Sequence, residues 1–319
     1  MKFGGHETFH IRDGWLRKGL SLCDVTCPDS PGLQSAEAAD VLGVGANMIK
    51  SIRHWLQATS LSRGISEHEG GGKVTESTEL AAVIQELDPH FQSDATWWAL
   101  HVNLTQNIDF AFSWDWFFND FGASRFEKSH AIETLRRFLD YNSNLKCPAL
   151  RTLERDVSVL LNCYAQTIPG EVSDPEDTKD CPLQRLGLLN FFKESGFYSV
   201  NFGPKNIPPR LLGYCIAGNR YFENEGADYI NISLNEAASG RGGPGRVFAM
   251  RAEELYDLAL KGEEELGEEW ISIRGMAGSR LIQIKNTTKE NWLGQELDNE
   301  NKKQTKWQRK LEKQLLETT

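Results

Sequence analysis

The chain has 319 residues, of which 39% are hydrophobic and 25% charged, and this composition is typical of a globular protein. Its formal net charge of −10 argues against general adhesion to nucleic acid, so DNA binding would need a local basic patch. The sequence contains no apolar run of about 18 residues, as a membrane span would need. It also shows no apolar stretch typical of a signal peptide near its start, so we expect a cytoplasmic protein.

The six cysteines do not follow a zinc-binding pattern. Only Cys23 and Cys27 lie close together, and the sequence has no C-x-x-C pair. A zinc knuckle normally needs two such pairs, or one pair followed by spaced histidines. We therefore expect reduced thiols and no zinc site.

The first polar cluster lies in residues 3–18, FGGHETFHIRDGWLRK. Its carboxylate Glu7 is a candidate general base or metal ligand, and His6 is a candidate water activator or ligand. Arg12 and Lys18 are candidates for neutralising phosphate charge. Three interpretations stay open: a catalytic site, a phosphate-binding site, and a hydrogen-bonded anchor with apolar neighbours packed beneath it.

Residues 35–61 predict a helix-turn-helix. A short helix is broken by Gly43–Gly45, and a second helix follows in which apolar residues recur at helical spacing. Many such units are scaffolds for protein interactions, but the polar face of the second helix favours contact with phosphates and base edges. That exposed face would carry Asn47, Lys50, Arg53 and His54.

Residues 63–77 predict a hairpin with a glycine-rich tip at Gly70–Gly72. This is the position of the wing in a winged helix, where Lys73 would contact the DNA backbone. We therefore assign residues 1–80 to a winged helix-turn-helix that includes the opening polar segment.

Residues 81–167 predict a helical domain rich in aromatic residues. Aromatic rings can stack on bases, but at this density and helical spacing they favour a protein core. The polar residues Arg151, Arg155 and Asp156 are expected on a solvated helix face. The aromatic residues expected in the core are Trp97, Trp98, Trp114, Trp116, Phe117 and Phe118.

Residues 168–182, with several prolines and acids, predict a linker. Residues 183–285 follow as a mixed α/β domain that ends in a helix and a hairpin, possible elements of a second winged helix. Strands are expected at residues 229–237, 245–250 and 280–286, and helices at 208–222 and 251–261.

Residues 286–319 predict a basic tail, either an amphipathic helix or disordered, that would hold DNA or a partner. The predicted fold class is thus a mainly helical α+β protein.

The glycine-rich segment GRGGPGR, residues 240–246, is a second candidate for phosphate binding. Its backbone N–H groups and the side chains of Arg241 and Arg246 suit an anion. It lacks the Gly-Lys-Ser/Thr ending of a Walker motif. The alternative is an ordinary mobile hairpin loop.

Several segments together resemble a family of domains of unknown function, the SspB-like family of single-strand DNA phosphorothioation systems in phage defence. The resemblance covers roughly residues 3–285, and the matching segments keep their order and spacing. The chain departs from the family pattern at His10, where proline is usual, and at Asp13, where an aromatic residue is expected. The matching segments are FGGHETFHIRDGWLRKG, LGVGANMIKSIRHWLQATSL, DATWWALHVNL, FSWDWFFNDF, TLERDVSVLLNCY and CPLQRLGLL.

The resemblance implies a DNA-nicking endonuclease that opens one strand of double-stranded DNA for sulfur incorporation. It also implies that the protein acts together with a cysteine desulfurase, an ATPase and an ATP-pyrophosphatase-like protein. Such chemistry would use Mg²⁺ or Mn²⁺, with Glu7 as the candidate ligand. Because no known nuclease core is present, two alternatives stay open: a non-catalytic DNA-recognition adaptor and a transcriptional regulator.

Overall fold

The structure is a computed structural model that describes residues 1–23, 32–67, 73–142, 147–169, 181–222, 226–276 and 279–317. It is a mainly helical α+β fold, as predicted. The helices are α1 (Trp15–Leu20), α2 (Ala38–Leu42), α3 (Ala46–Ala58), α4 (Glu79–Leu87), α5 (Asp94–Gln106), α6 (Phe112–Trp116), α7 (Lys128–Tyr141), α8 (Leu150–Tyr164), α9 (Arg210–Ile216), α10 (Leu234–Ser239), α11 (Pro244–Val247), α12 (Ala252–Leu266) and α13 (Lys289–Glu317). The strands are β1 (Ser62–Glu67), β2 (Lys73–Ser77), β3 (Arg125–Phe126), β4 (Ala165–Ile168), β5 (Leu189–Phe192), β6 (Phe197–Val200), β7 (Tyr229–Ser233), β8 (Ile271–Met276) and β9 (Ser279–Lys285).

The N-terminal part contains the predicted pair of helices followed by a hairpin. Gly43 ends α2 in the left-handed conformation, with a φ of 64°, which a residue without a Cβ adopts at little cost. Helix α3 then buries its apolar face against α1, including Ile52, Trp55 and Leu56 at 0% exposure. Strands β1 and β2 pair antiparallel behind α3. The predicted glycine tip, residues 70–72, and the side chain of Lys73 lie outside the described residues.

The aromatic middle of the chain is core, as predicted. Helix α5 starts at the N-cap Ser93, whose side chain accepts a hydrogen bond from the Ala95 backbone N–H. Every residue from Ala95 to Thr105 is buried, so α5 is surrounded on all sides. A π-helical segment, Phe117–Phe121, continues α6. All six predicted aromatic rings lie between 1% and 9% exposure, which confirms their assignment to the core.

Two further sheets complete the fold. The first has the order β3-β6-β5-β4 and the second has the order β7-β9-β8. Helices α10, α11 and α12 lie between β7 and β8 in the chain. The strand predicted at residues 245–250 is wrong, because Pro244 starts the short helix α11 at a position where its missing N–H costs nothing.

The last helix, α13, begins within the predicted basic tail. Its first turns are part of the core, with Trp292 and Leu293 at 0% exposure against α4, α5 and α9. Gly213 permits this contact, since a Cβ there would lie 2.3 Å from the Trp292 ring. From residue 301 to residue 308 the helix is exposed.

The predicted linker falls mostly on residues 170–180, outside the described residues. No helix within the described ranges is long and apolar enough to cross a membrane. The cysteines that the structure describes form no disulfide with one another.

Candidate nucleic-acid interface

A polar pocket of about 380 Å³ lies where the N-terminal segment, α3 and the hairpin meet. We call it the α3 pocket. It unites two groups of residues that the sequence analysis treated separately, the opening polar segment and the second helix of the helix-turn-helix. Its lining residues are Lys2, Phe3, Gly4, Gly5, Glu7, Gln34, Lys50, Arg53, His54, Gln57 and Thr75.

The α3 pocket carries a positive charge. Its lining includes the cations Lys2, Lys50 and Arg53 against the single carboxylate Glu7, so its formal charge is 3 − 1 = +2. None of the three cations pairs with a carboxylate of the described residues. Lys50 Nζ donates to Asn47 Oδ1 at 3.2 Å, and Arg53 Nε donates to the Leu33 carbonyl at 2.7 Å. Burial alone lowers the pKa of Arg53.

His6 lies behind this pocket, at 1% exposure, and is not one of its lining residues. The Thr8 backbone N–H donates to His6 Nδ1 at 3.2 Å, so the ring proton lies on Nε2 and is donated to Asp156 Oδ1 at 2.8 Å. Asp156 Oδ1 also accepts the Gly4 backbone N–H at 2.6 Å. In this structure His6 is therefore a hydrogen-bonded anchor for the segment that presents Glu7.

The predicted position of Asp156 is wrong. It was expected on a solvated face, but it is 3% exposed and accepts a further hydrogen bond from Ser113 Oγ at 2.8 Å. The signal was present in the helical periodicity, because Asp156 falls on the same face of α8 as the buried Leu153 and Leu160. A carboxylate on an apolar face needs partners, and the N-terminal segment supplies them.

The expectation that His54 is exposed is also wrong. It is 3% exposed, and neither ring nitrogen has a hydrogen-bond partner among the described residues. Gly5 lies so close that a Cβ there would be 2.5 Å from His54 Nδ1. Burial, followed by the nearby His6 and Lys2, lowers the pKa of His54 to about 3. The ring is therefore neutral at physiological pH.

The remaining candidates of the N-terminal part lie apart from the pocket. Arg12 is sandwiched by two aromatic rings, with its guanidinium carbon 5.5 Å from the Phe9 ring centroid and 5.2 Å from that of Trp15. Lys18 is exposed on α1, and Asn47 is exposed in the first turn of α3. None of these three lines the pocket.

The glycine-rich segment 240–246 connects α10 to α11, includes the first residues of α11, and is not a hairpin loop. Arg241 bonds to both Asp120 oxygens and, at 2.5 Å, to Asp115, which is 0% exposed. The Gly242 backbone N–H donates to Asn119 Oδ1 at 2.8 Å. Arg246 Nε donates to the Ser239 carbonyl at 2.6 Å. These polar groups are therefore engaged in internal contacts.

The donor set of the α3 pocket fits a divalent metal only in a limited way. Glu7 is the one carboxylate among its lining residues, and the described ranges contain no cluster of three His, Cys, Asp or Glu side chains suited to a metal ion. Mg²⁺ often uses one or two carboxylates together with substrate phosphates and water. Because the three cations oppose a bare metal ion, Mg²⁺ would enter this pocket together with phosphate.

Fold and site together describe a mainly helical α+β protein with a cationic pocket on its N-terminal helix pair. The chain belongs to a family described as "Protein of unknown function (DUF4007)", whose model matches residues 3–299. No match was found among curated proteins.

Two crystal structures of SspB share this fold with a TM-score of 0.77, and one of them is magnesium ion-bound. They are 23% and 24% identical in sequence, and each comparison covers 94% of this chain and 87% of the other. The SspB-like resemblance noted in the sequence is thus confirmed, and the likeness extends over nearly the whole fold.

Proposed function

We propose that the protein binds double-stranded DNA and that the α3 pocket receives its backbone phosphates. The observation that carries this proposal is that one pocket holds three cations, none of which pairs with a carboxylate of the described residues, in a chain whose net charge is −10. Unpaired lysine and arginine side chains are the groups that exchange counterions for phosphates on binding DNA.

We also propose that α2, α3 and the β1–β2 hairpin act as a winged helix. Only the first turns of α3 are well exposed, at Ala46, Asn47 and Lys50, whereas its second half is buried. Recognition helices of this class contact bases with their N-terminal residues. Asn47 therefore faces the major groove in this proposal, and Lys50 and Arg53 contact phosphate at the pocket.

For the chemistry, we propose single-strand nicking with Glu7 as the residue that would hold Mg²⁺ or Mn²⁺. The metal would relieve charge at the phosphate and activate water. The chain's own groups have two further tasks. Lys50 and Arg53 neutralise the phosphate, and the His6–Asp156 hydrogen bond fixes the segment that carries Glu7.

The likeness to SspB supports a place in a single-strand DNA phosphorothioation system of phage defence. In this proposal the nick opens one strand for sulfur incorporation by partners, namely a cysteine desulfurase, an ATPase and an ATP-pyrophosphatase-like protein. The magnesium ion-bound SspB structure supports the choice of metal.

The test is incubation of supercoiled plasmid with Mg²⁺ or Mn²⁺ and three proteins: wild type, Glu7→Ala and the control Asp13→Ala. Asp13 is an exposed carboxylate of the same segment that does not line the pocket. We expect open-circular DNA from wild type and Asp13→Ala, and none from Glu7→Ala.

Open-circular product from all three proteins would support the nicking activity but contradict the assignment of Glu7 to its active site. If none of them cuts but all retard the plasmid in a gel, the protein is a recognition adaptor. Absence of both cutting and retardation contradicts the DNA-binding proposal itself.

A further inference from the structure

A second polar pocket, of about 390 Å³, opens beside the C-terminal end of α3. We call it the Lys289 pocket. Helices α5, α9 and α13 meet here, and none of the pocket's residues is a site candidate from the sequence. They are Ser60, Asn103, Gln106, Asn107, Ile108, Asp109, Gly218, Arg220 and Lys289.

Lys289 supplies an unbalanced positive charge to this pocket. Its Nζ donates to Asn103 Oδ1 at 3.0 Å and to Gln106 Oε1 at 2.6 Å, and it lies 5.2 Å from the Tyr214 ring centroid. These partners are all uncharged, and no carboxylate of the described residues pairs with Lys289. An ammonium has three N–H donors, so one is left for a ligand. A half-buried charge of this kind is costly unless an anion approaches it.

The other charges of the pocket are already matched. Arg220 Nη2 lies 3.1 Å from Asp115 Oδ1 and belongs to a cluster of two arginines and two aspartates, with Arg241 and Asp120. Asp109 Oδ1 lies 3.5 Å from the N-terminal ammonium. The unmatched charge is therefore that of Lys289. Arg220 is 36% exposed and keeps further N–H groups for a ligand, since its hydrogen bonds in the described chain come from Nη2 alone.

The two pockets are neighbours. Asn107, from the Lys289 pocket, donates through Nδ2 at 3.0 Å to the carbonyl of Gln57, which lines the α3 pocket. On the other side, the N-terminal ammonium reaches Asp109, and the next residue, Lys2, lines the α3 pocket. The two pockets therefore lie next to each other in the fold.

We propose that the Lys289 pocket binds a second backbone phosphate of the DNA strand that occupies the α3 pocket, with Lys289 and Arg220 as donors. This inference rests on the proposed DNA binding. It extends the contact from the helix-turn-helix to α13 and makes the junction of the N-terminal and C-terminal parts of the fold a component of the interface.

The pKa of Lys289 agrees with this role and predicts that DNA affinity depends on pH. Burial lowers its pKa to about 8, against opposing effects from Cys215 and Glu290. Burial raises the pKa of the neighbouring Cys215 to about 12 and raises that of Tyr214 further. The N-terminal ammonium lies 3.5 Å from Asp109 Oδ1 and is common to all variants. Arg220 and Asp109 are the other charged residues of the pocket wall. Lys289 is therefore mostly charged at pH 7 and mostly neutral at pH 9.

The experiment measures the affinity of a short fluorescent DNA duplex over a salt series for wild type, Lys289→Gln, Lys289→Arg and the control Lys261→Gln. Lys261 is an exposed lysine of α12 that lines neither pocket, so its variant makes the same change in net charge outside both. For Lys289→Gln we expect an affinity loss on the order of tenfold. The slope of log affinity against log salt should fall by about 0.9, the value for one phosphate contact. Lys289→Arg and Lys261→Gln should keep the slope.

Between pH 7 and 9, wild type should lose more affinity than Lys289→Arg, which keeps the proposal testable even if Lys289→Gln fails to fold. An unchanged slope in Lys289→Gln, or equal loss in wild type and Lys289→Arg, overturns the second phosphate site. In that case a reduced slope in Lys50→Ala/Arg53→Ala still supports the α3 pocket. If wild type binds no DNA at all, both proposals are wrong.

Discussion

Helices α3 and α12 occupy comparable positions in the two ends of the chain, yet their charges are opposite. Each follows a shorter helix and precedes a β-hairpin. Helix α3 contains Lys50 and Arg53 and no carboxylate, which gives +2. Helix α12 contains six carboxylates and one lysine, which gives −5. Of the two helices, α3 therefore has the charge that favours a phosphate backbone, and α12 has the charge that opposes it.

The arginines of the two ends also differ in what they contact. Within the part of the chain that the structure describes, Arg53 hydrogen-bonds to a backbone carbonyl and to no carboxylate, so its charge is available to a ligand. Arg241, in contrast, neutralises Asp115 and Asp120. Basic residues near glycines therefore do not indicate an anion site by themselves. The pairing of each cation in the folded chain decides whether its charge is available.

Each end also depends on a buried carboxylate, Asp156 for the α3 pocket and Asp115 for the C-terminal ion cluster. Asp156→Ala should have the largest effect, because Gly4 N–H, His6 Nε2–H and Ser113 Oγ–H lose their acceptor together. We expect a loss of about 3 kcal/mol in the free energy of unfolding by urea. Arg155→Ala, an exposed neighbour on α8, should change it little. Equal effects of the two variants would contradict the anchor.

Arg241→Gln should have the next largest effect on stability. It leaves Asp115 with Arg220 as its remaining cationic partner, so we expect a loss of about 2 kcal/mol in urea unfolding. The salt slope of DNA binding should stay the same, since the charge of Arg241 is already matched. If Arg241→Gln is as stable as wild type and its DNA affinity depends less on salt, Arg241 contacts DNA and the ion-pair assignment is wrong. Arg246→Gln, which loses one hydrogen bond to Ser239, is the control.

His54 should make the N-terminal end sensitive to acid. Its pKa is about 3 in the folded chain, against an ordinary value of 6.5, so the unfolded chain binds more protons between these values. Stability due to the neutral ring is present above pH 6.5 and is lost as the pH falls toward 3. His54→Gln should reduce the slope of unfolding free energy against pH between 4 and 6 by about 1.4 kcal/mol per pH unit.

The exposed His90 provides the control for this slope. His90→Gln should retain the acid sensitivity of the wild type. A slope that is the same in His54→Gln and wild type would mean that His54 binds its proton equally in the folded and unfolded chain, which would contradict the lowered pKa.

The smallest effect should come from the acidic helix. Glu264→Gln/Glu265→Gln removes two exposed charges of α12, which lies outside both pockets. We expect DNA affinity to rise by less than about threefold at physiological salt, because exposed charges beyond about 8 Å are largely screened. A rise of tenfold or more in a binding titration would mean that α12 lies against the DNA.

Local patterns in the sequence were sufficient for much of the fold. The spacing of Ile52, Trp55 and Leu56 predicts the buried face of α3, and the glycines at 43–45 predict the break before it. Contacts between distant segments were not predictable in this way. Asp156 meets His6 across 150 residues, and Arg241 meets Asp115 across 126. Which polar residue finds which partner depends on the packing of whole helices, and local periodicity does not contain that information.

The candidate site was predicted in part for the same reason. Glu7, Lys50 and Arg53 were chosen from two separate segments, and the structure brings them to one pocket. Periodicity did not reveal the burial of His54, because α3 is covered on a second side by the N-terminal segment at Gly5. Lys289 was missed because a lone lysine at the start of a basic tail carries no local signal of burial.

The most direct test of the central claim is the salt dependence of DNA affinity for wild type and Lys50→Ala/Arg53→Ala. If the α3 pocket binds backbone phosphates, the double variant should bind DNA more weakly. Its slope of log affinity against log salt should be smaller by about 1.8, which corresponds to two lost phosphate contacts. An unchanged affinity and an unchanged slope in a folded double variant would contradict the assignment of the α3 pocket to DNA.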